Sequence, residues 1–296
     1  MNEATSYNRI DRALRKYEAE IAAQYKIALD KTRIKLAAIY EKYTVAGELT
    51  YGQMAKYGRL AKLEKDLMAY FTASNTLVVS SLKRLPKEMI AQAYKEFAYQ
   101  FDNGLGTRLS WGTIPTKAVA DIIANPLDLI ARDSLTIRQR SRIKTALAQG
   151  FLQGQGYPEM AAGIKDVYGK TAYEAMRVAR TEGQRSAVAA QRAVYDKTES
   201  IGIETALFWD AITGDGRTRE NHGIENETKA QEHEGTLMFF YKPTGQWVTG
   251  PMSSNLPAGD VINCRCRIRQ ELVEMPDDIN TSHPKTSYKK WEETQK

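Results

Sequence analysis

The chain has 296 residues, 42% of them hydrophobic and 26% charged, proportions ordinary for a soluble globular protein and enough for one large core or two smaller ones. It contains no run of eighteen or more apolar residues, which excludes a bilayer-spanning helix. Two cysteines and no basic-then-apolar leader pattern at the N-terminus point to a reducing compartment and away from a disulfide framework; a net charge of +6 fits an acidic or nucleic-acid partner without establishing one.

Taken in order, the sequence predicts a mainly α, α+β chain. From about Asn8 to Tyr43, apolar residues recur at three-four spacing (Ile10, Leu14, Tyr17, Ile21, Tyr25, Ala28, Leu36, Ile39), and neither Pro nor Gly interrupts them. Thr50 and Gln53 have the spacing of a capping box, which opens a second helix carrying Met54, Leu60, Leu63, Leu67 and Phe71. Pro86 is expected to start a new helix at its first turn, ending near Asn103-Gly104. Residues 1–112 therefore form a long-helix N-terminal region.

Residues 113–203 read as a helical middle region of shorter pieces. One runs from Pro115 to Asn125 and another from Ser134 to Gln149, the second with Leu135, Ile137, Ile143, Leu147 and Phe151 as core candidates. A short helix from Pro158 to Tyr168 and a long one from Thr171 to about Ser200 follow. Arg138, Arg140, Arg142 and Lys144 can contact phosphate, although a solvated helix face is the commoner explanation of such a cluster.

At Glu204 the pattern changes to short strands with a small antiparallel sheet, forming an α+β module over residues 204–273. Ala206 to Asp210 is one strand, 236–241 and 246–249 form a hairpin, and Val261 to Gln270 is the last strand. Residues 274–296 form a polar tail expected to be mobile unless a partner orders it.

Both cysteines lie in Asn263-Cys264-Arg265-Cys266, where alternation along a strand puts Cys264 and Cys266 on one face. Two readings stand side by side. The thiols are small buried hydrophobes of a packed core, or they are half of a metal site, most simply one structural zinc, completed by His222 and Asp215, with His233 a third option. Asp215 with Gly216 also makes a tight turn, and Arg217 and Arg219 can pair with nearby carboxylates. The sequence shows no Walker-type phosphate loop, nucleophile elbow or His-Glu-x-x-His helix. The catalytic alternative is a metal-dependent nucleic-acid enzyme built on Asp215 and His222.

Four motifs in order resemble the phage head morphogenesis, or Mu F-type minor head, proteins of tailed bacteriophages. They are Gly150-x3-Gly154-x-Gly156-Tyr157-Pro158-Glu159-Met160, Ala179-Arg180-Thr181-Glu182, Trp209-x5-Asp215-Gly216-Arg217-Thr218-Arg219-x2-His222, and Asn263-Cys264-Arg265-Cys266. The step after the histidine departs from that pattern, with Gly223-Ile224-Glu225-Asn226 where a Leu-Asp-Gly-like step is usual. The resemblance implies a late, low-copy, non-enzymatic minor capsid protein of the procapsid and virion. Such a protein sits inside the head near the portal vertex, having assembled in the host cytoplasm. The partners implied are the portal protein, then scaffolding or major capsid protein and double-stranded DNA, with no membrane. It also makes Arg180 and Glu182 candidates for an ion-pair network with Asp215, Arg217 and Arg219.

Overall fold

The computed structural model describes residues 3–45, 49–115, 128–213 and 216–295. Three helices longer than any the sequence predicts dominate it. Helix α1 is Glu3–Tyr43, and the short α2, Tyr51–Ala55, leads through one turn of 3-10 helix to α3, Arg59–Leu105. Helix α4 is Asp128–Leu152 and α5 is Tyr157–Glu199. The expected Pro115–Asn125 helix falls largely outside the described residues.

The structure joins pieces that local signals separate. Pro86 lies inside α3 instead of opening a helix. Its missing N–H removes one helical bond, but Leu82, Leu85, Met89 and Ile90 around it are buried, and their packing carries the helix across. Ser74 and Asn75 are buried in the same helix, and the Tyr25 hydroxyl donates to Asn75 Oδ1 at 2.7 Å. The two helices expected on either side of Lys170 are one, α5, because Val167, Tyr168, Thr171 and Ala175 keep a continuous buried stripe. Ile137, expected in the core, is 70% exposed; Ile143, Leu147 and Phe151 carry the buried face of α4 instead.

The chain divides into two compact units, with boundaries inside α1, α3 and α5. One comprises residues 16–83 and 127–179. Its core is aromatic: Tyr25 stacks on Phe71, Phe71 meets Tyr168 edge-on, and Tyr40 stacks on Phe151. Each tyrosine hydroxyl finds a partner, Tyr40 donating to the Gln155 carbonyl at 2.8 Å and Tyr168 sharing a bond with Thr32 at 3.1 Å. These satisfied hydroxyls let amphipathic rings serve as core.

The other unit comprises residues 1–15, 84–126 and 180–296. It holds strand β1, Glu204–Asp210; helix α6, Glu220–Glu225; strands β2, Gln231–His233, β3, Thr236–Tyr241, and β4, Gln246–Val248; helix α7, Ala258–Val261; strand β5, Arg267–Glu274; and helix α8, Tyr288–Thr294. β1 pairs antiparallel with β5, Trp209 opposite Ile268, and β2-β3-β4 form a three-stranded meander. Backbone bonds from Trp209 to Thr228 and from Ala230 to Leu207, each 2.8 Å, tie β1 to the segment entering β2.

The last strand begins later than alternation predicts. Residues Ala258–Val261 are helical, Asn263 turns at φ 56°, and β5 starts at Arg267, so the cysteines precede the strand instead of sharing its face. One stripe of α5 holds this segment in place. Thr181 Oγ1 accepts from the Asn263 amide at 3.1 Å, and Gln184 Nε2 donates to the Cys266 carbonyl at 3.1 Å. Gln191 accepts from the Ile268 amide at 3.3 Å and donates to the Ile268 carbonyl. Thr198 Oγ1 accepts from Gln270 Nε2 at 3.2 Å. Val188 and Tyr195 fill the spaces between these polar residues and pack on Leu207, Trp209 and Ile268.

The tail is not free either. Trp291 of α8 is 1% exposed, and its indole donates to Asp102 Oδ2 at 2.7 Å. Asp102, wholly buried, also accepts from the Trp111 indole, the Thr107 hydroxyl and the Leu109 amide. Tyr99 and Asn103 hold the Thr286 carbonyl at 2.7 and 2.9 Å. One buried carboxylate thus anchors a tail whose composition alone looks mobile.

Two stability predictions follow from these contacts. Asp102→Ala leaves two indole N–H groups and an amide without their buried acceptor, so it should cost at least ~3 kcal/mol in chemical denaturation. It should also open residues 288–295 to limited proteolysis, and a resistant tail would show that other contacts seat α8. Gln191→Leu keeps the volume but strips both partners from Ile268, for an expected loss of about 2–4 kcal/mol. A loss below about 1 kcal/mol would mean that water replaces the amide without penalty.

Candidate metal centre

Three donors from separated parts of the chain meet in the core between β1, β3 and the turn before β5. His222 sits in α6, whose first residue follows an extended Arg219. Arg219 donates to the Ile262 carbonyl, and the Thr218 hydroxyl donates to the Ile212 carbonyl, so both ends of the loop are tied down. His222 Nδ1 lies 3.2 Å from Cys266 Sγ and 3.6 Å from Cys264 Sγ. All three side chains are buried, at 3%, 2% and 4% exposure.

The surroundings are also buried and polar in selected places. Trp209 stacks on Tyr241, and the edge of its ring meets the His222 imidazole. Asp260 Oδ1 is 3.8 Å from His222 Nε2, on the opposite side of the ring from the sulfurs. The Cys266 amide donates to Cys264 Sγ at 3.4 Å, which bends the Cys-x-Cys segment around one sulfur. Gly250 leaves room for the Ile268 side chain, which would stand 2.9 Å from a Cβ there.

Charge at the sulfurs is uneven. The Cys264 thiol hydrogen bond pushes Cys266 down to about 5, against the opposing effect of burial and with further help from His222 and Trp209. The same bond, with burial, drives Cys264 well above the usual thiol range. Burial, with Asp260 as a second cause, also raises the Tyr241 phenol, which stays protonated.

The segment that departs from the family pattern after the histidine has its own structural work. The Ala211 amide donates to Asn226 Oδ1 at 2.9 Å, and the buried Glu225 accepts from the Lys242 amide at 3.0 Å. These bonds fix α6 between β1 and the β3–β4 turn.

Of the predicted metal donors, the structure brings His222, Cys264 and Cys266 together; Asp215 lies outside the described residues. Glu182 is buried with Arg185 3.9 Å away on its own helix, Arg180 is half-buried, and Arg217 is exposed. The helix is joined to the module through Thr181, Gln184, Gln191 and Arg192, the last reaching the Leu237 carbonyl at 2.7 Å. Arg138, Arg140 and Lys144 are exposed on α4, while Arg142 pairs with Glu174 at 3.1 Å. Sequence reasoning missed Asp260, Tyr241 and the α5 glutamines. The glutamines were legible, since Thr181, Gln184, Val188, Gln191, Tyr195 and Thr198 alternate three and four apart. Asp260 was not, because it sits in what reads as a Pro- and Gly-containing loop.

Comparison with known proteins places this arrangement. Residues 141–269 match the family described as Phage Mu protein F like protein. The chain is 28% identical over 267 residues to minor head protein GP7 of Bacillus phage SPP1, covering 86% of this chain and 84% of that protein. It is 23% identical over 288 residues to the NAD(+)–arginine ADP-ribosyltransferase EFV of Enterococcus faecalis, covering 90% of this chain but 56% of that protein. No solved structure matches. The matched segment holds His222, Asp260, both cysteines and the α5 stripe that positions them, so it is over this segment that the chain is similar to the Phage Mu protein F like family.

Proposed function

We propose that the chain is a minor head protein of a tailed bacteriophage, with a structural and non-catalytic role in head morphogenesis. The observation that carries this reading is the similarity to minor head protein GP7, which extends along most of both chains. In this reading the protein is a virion component that works at the portal vertex of the procapsid, with the portal protein as its partner. The transferase similarity is read as a shared scaffold, because this chain spans 56% of that protein and is 23% identical to it.

The placement of His222 favours the structural role over a nuclease. Its Nδ1 faces two sulfurs and its Nε2 faces Asp260, so both ring nitrogens are turned inward, and the ring is buried. A general base needs hydrogen-bond reach to a substrate proton, which this ring does not offer. DNA contact is a secondary part of the proposal, and the exposed Arg138, Arg140 and Lys144 support it.

Co-expressing the tagged chain with the portal protein of the same phage should yield a complex that survives gel filtration. A chain that enters procapsids but never associates with portal would sink the portal assignment while leaving a head role. For DNA, replacing Arg138, Arg140 and Lys144 by Ala should lower the slope of log affinity against log salt by about 3, at roughly 0.9 per lost phosphate contact. An unchanged slope would return those residues to a solvated helix face.

A further inference from the structure

The donor spacing at His222, Cys264 and Cys266 is that of ligands around one ion. Zinc–sulfur bonds of about 2.3 Å and zinc–nitrogen bonds of about 2.0–2.1 Å at tetrahedral angles place bound donors about 3.5–3.8 Å apart. Here Nδ1 stands 3.6 and 3.2 Å from the two sulfurs, and one donor atom from each residue falls within 4.8 Å of the others.

Packing of apolar thiols explains burial but not the imidazole. His222 Nε2 is buried and makes no hydrogen bond among the described residues, although Asp260 Oδ1 lies 3.8 Å away. A core histidine of a purely apolar cluster would be left with an unmet polar atom, at a cost of about 1–3 kcal/mol. Metal binding accounts for both ends of the ring at once. Nδ1 gives its lone pair to the ion, which fixes the remaining proton on Nε2, and that proton needs an acceptor. Asp260 stands where the acceptor belongs, and a contraction of under about 1 Å closes the hydrogen bond. Asp260 is held in turn at the end of α7, whose amide bond to the Pro257 carbonyl is 2.8 Å, and it lies beside the Tyr241 phenol.

We infer that His222 Nδ1, Cys264 Sγ and Cys266 Sγ bind one zinc ion, with Asp260 orienting the imidazole from its far side. Two sulfurs and one imidazole nitrogen suit zinc far better than the oxygen-seeking calcium or magnesium. Both sulfurs bind as thiolates, so any proton they carry passes to solvent as the ion enters. The site is assembled by the same α5 stripe that holds the 263–268 backbone, and it does not depend on the head-protein reading.

Elemental analysis of the full chain, expressed with zinc and purified without chelator, should give about one zinc per chain. Exchange with cobalt(II) should produce the thiolate-to-cobalt charge-transfer band and intense tetrahedral d–d bands. Cys264→Ser and Cys266→Ser should each weaken that band. Asp260→Asn keeps all three ligands and tests the orienting role; it should fold with zinc present and lose about 10–100-fold in zinc affinity against a competing chelator. Should the cysteine variants fail to fold, the cobalt spectrum of the unaltered chain and the Asp260→Asn affinity decide the matter. Metal-free protein with two titratable thiols, or with a Cys264–Cys266 disulfide, and no cobalt–thiolate band after refolding with cobalt would overturn the proposal. Unchanged affinity in Asp260→Asn would overturn the role given to Asp260.

Discussion

The C-terminal module depends on a helix that behaves like a strand. Among the described residues β5 pairs with β1 on one side only, and the backbone groups of an unpartnered edge must be satisfied if they are buried. α5 does this with side-chain amides. Gln191 exchanges both hydrogen bonds with Ile268, as a neighbouring peptide group would, and Gln184 and Thr181 continue the pairing through Cys266 and Asn263. A buried amide left without partners is costly, so Gln191, 3% exposed, works here only because Ile268 presents both an N–H and a carbonyl to it. The same Gln191 also accepts from the Tyr7 hydroxyl, which brings the start of α1 into the arrangement.

That pairing determines where the cysteines can be. With Asn263 held by Thr181 and the Cys266 carbonyl held by Gln184, the Cys-x-Cys segment is fixed at both ends. Asn263 adopts φ 56°, a conformation asparagine tolerates better than most side chains, and this turn feeds β5 in the correct register opposite Trp209. Both sulfurs then face His222, where a regular strand from Val261 would have run straight past it. The chemistry of the site therefore follows from a helix-to-backbone interaction made by residues that carry none of that chemistry themselves.

Much of this was legible in the sequence, and the failures share a physical cause. The α+β class and the 236–248 hairpin follow from period-two alternation and turn residues, while the grouping of His222 with both thiols was one of two readings that the sequence left open. What local signals misjudge is where tertiary packing overrules them. Pro86 does not interrupt α3 because the buried residues around it hold the helix. Ile137 is apolar yet exposed, and Trp291 lies in a polar tail yet is buried, since what decides each is a partner far away in sequence. The turn at Asn263 was invisible for the same reason: the hydrogen bonds that select it come from residues about eighty positions earlier.

These interactions bear on what kind of protein this is. A catalytic site keeps its reactive groups within reach of substrate and leaves room for change during turnover. Here the chemically capable residues are turned inward and enclosed by Trp209, Tyr241, Val261 and Ile268. The loop leading into the histidine is fastened by Thr218 and Arg219, and the residues after it by Glu225 and Asn226. Such a centre holds α6, the cysteine turn and β1 in one arrangement. The family motifs then read as positions of this internal frame: Thr181 in Ala179-Arg180-Thr181-Glu182 grips the turn, Trp209 and His222 line the centre, and Cys264 and Cys266 close it.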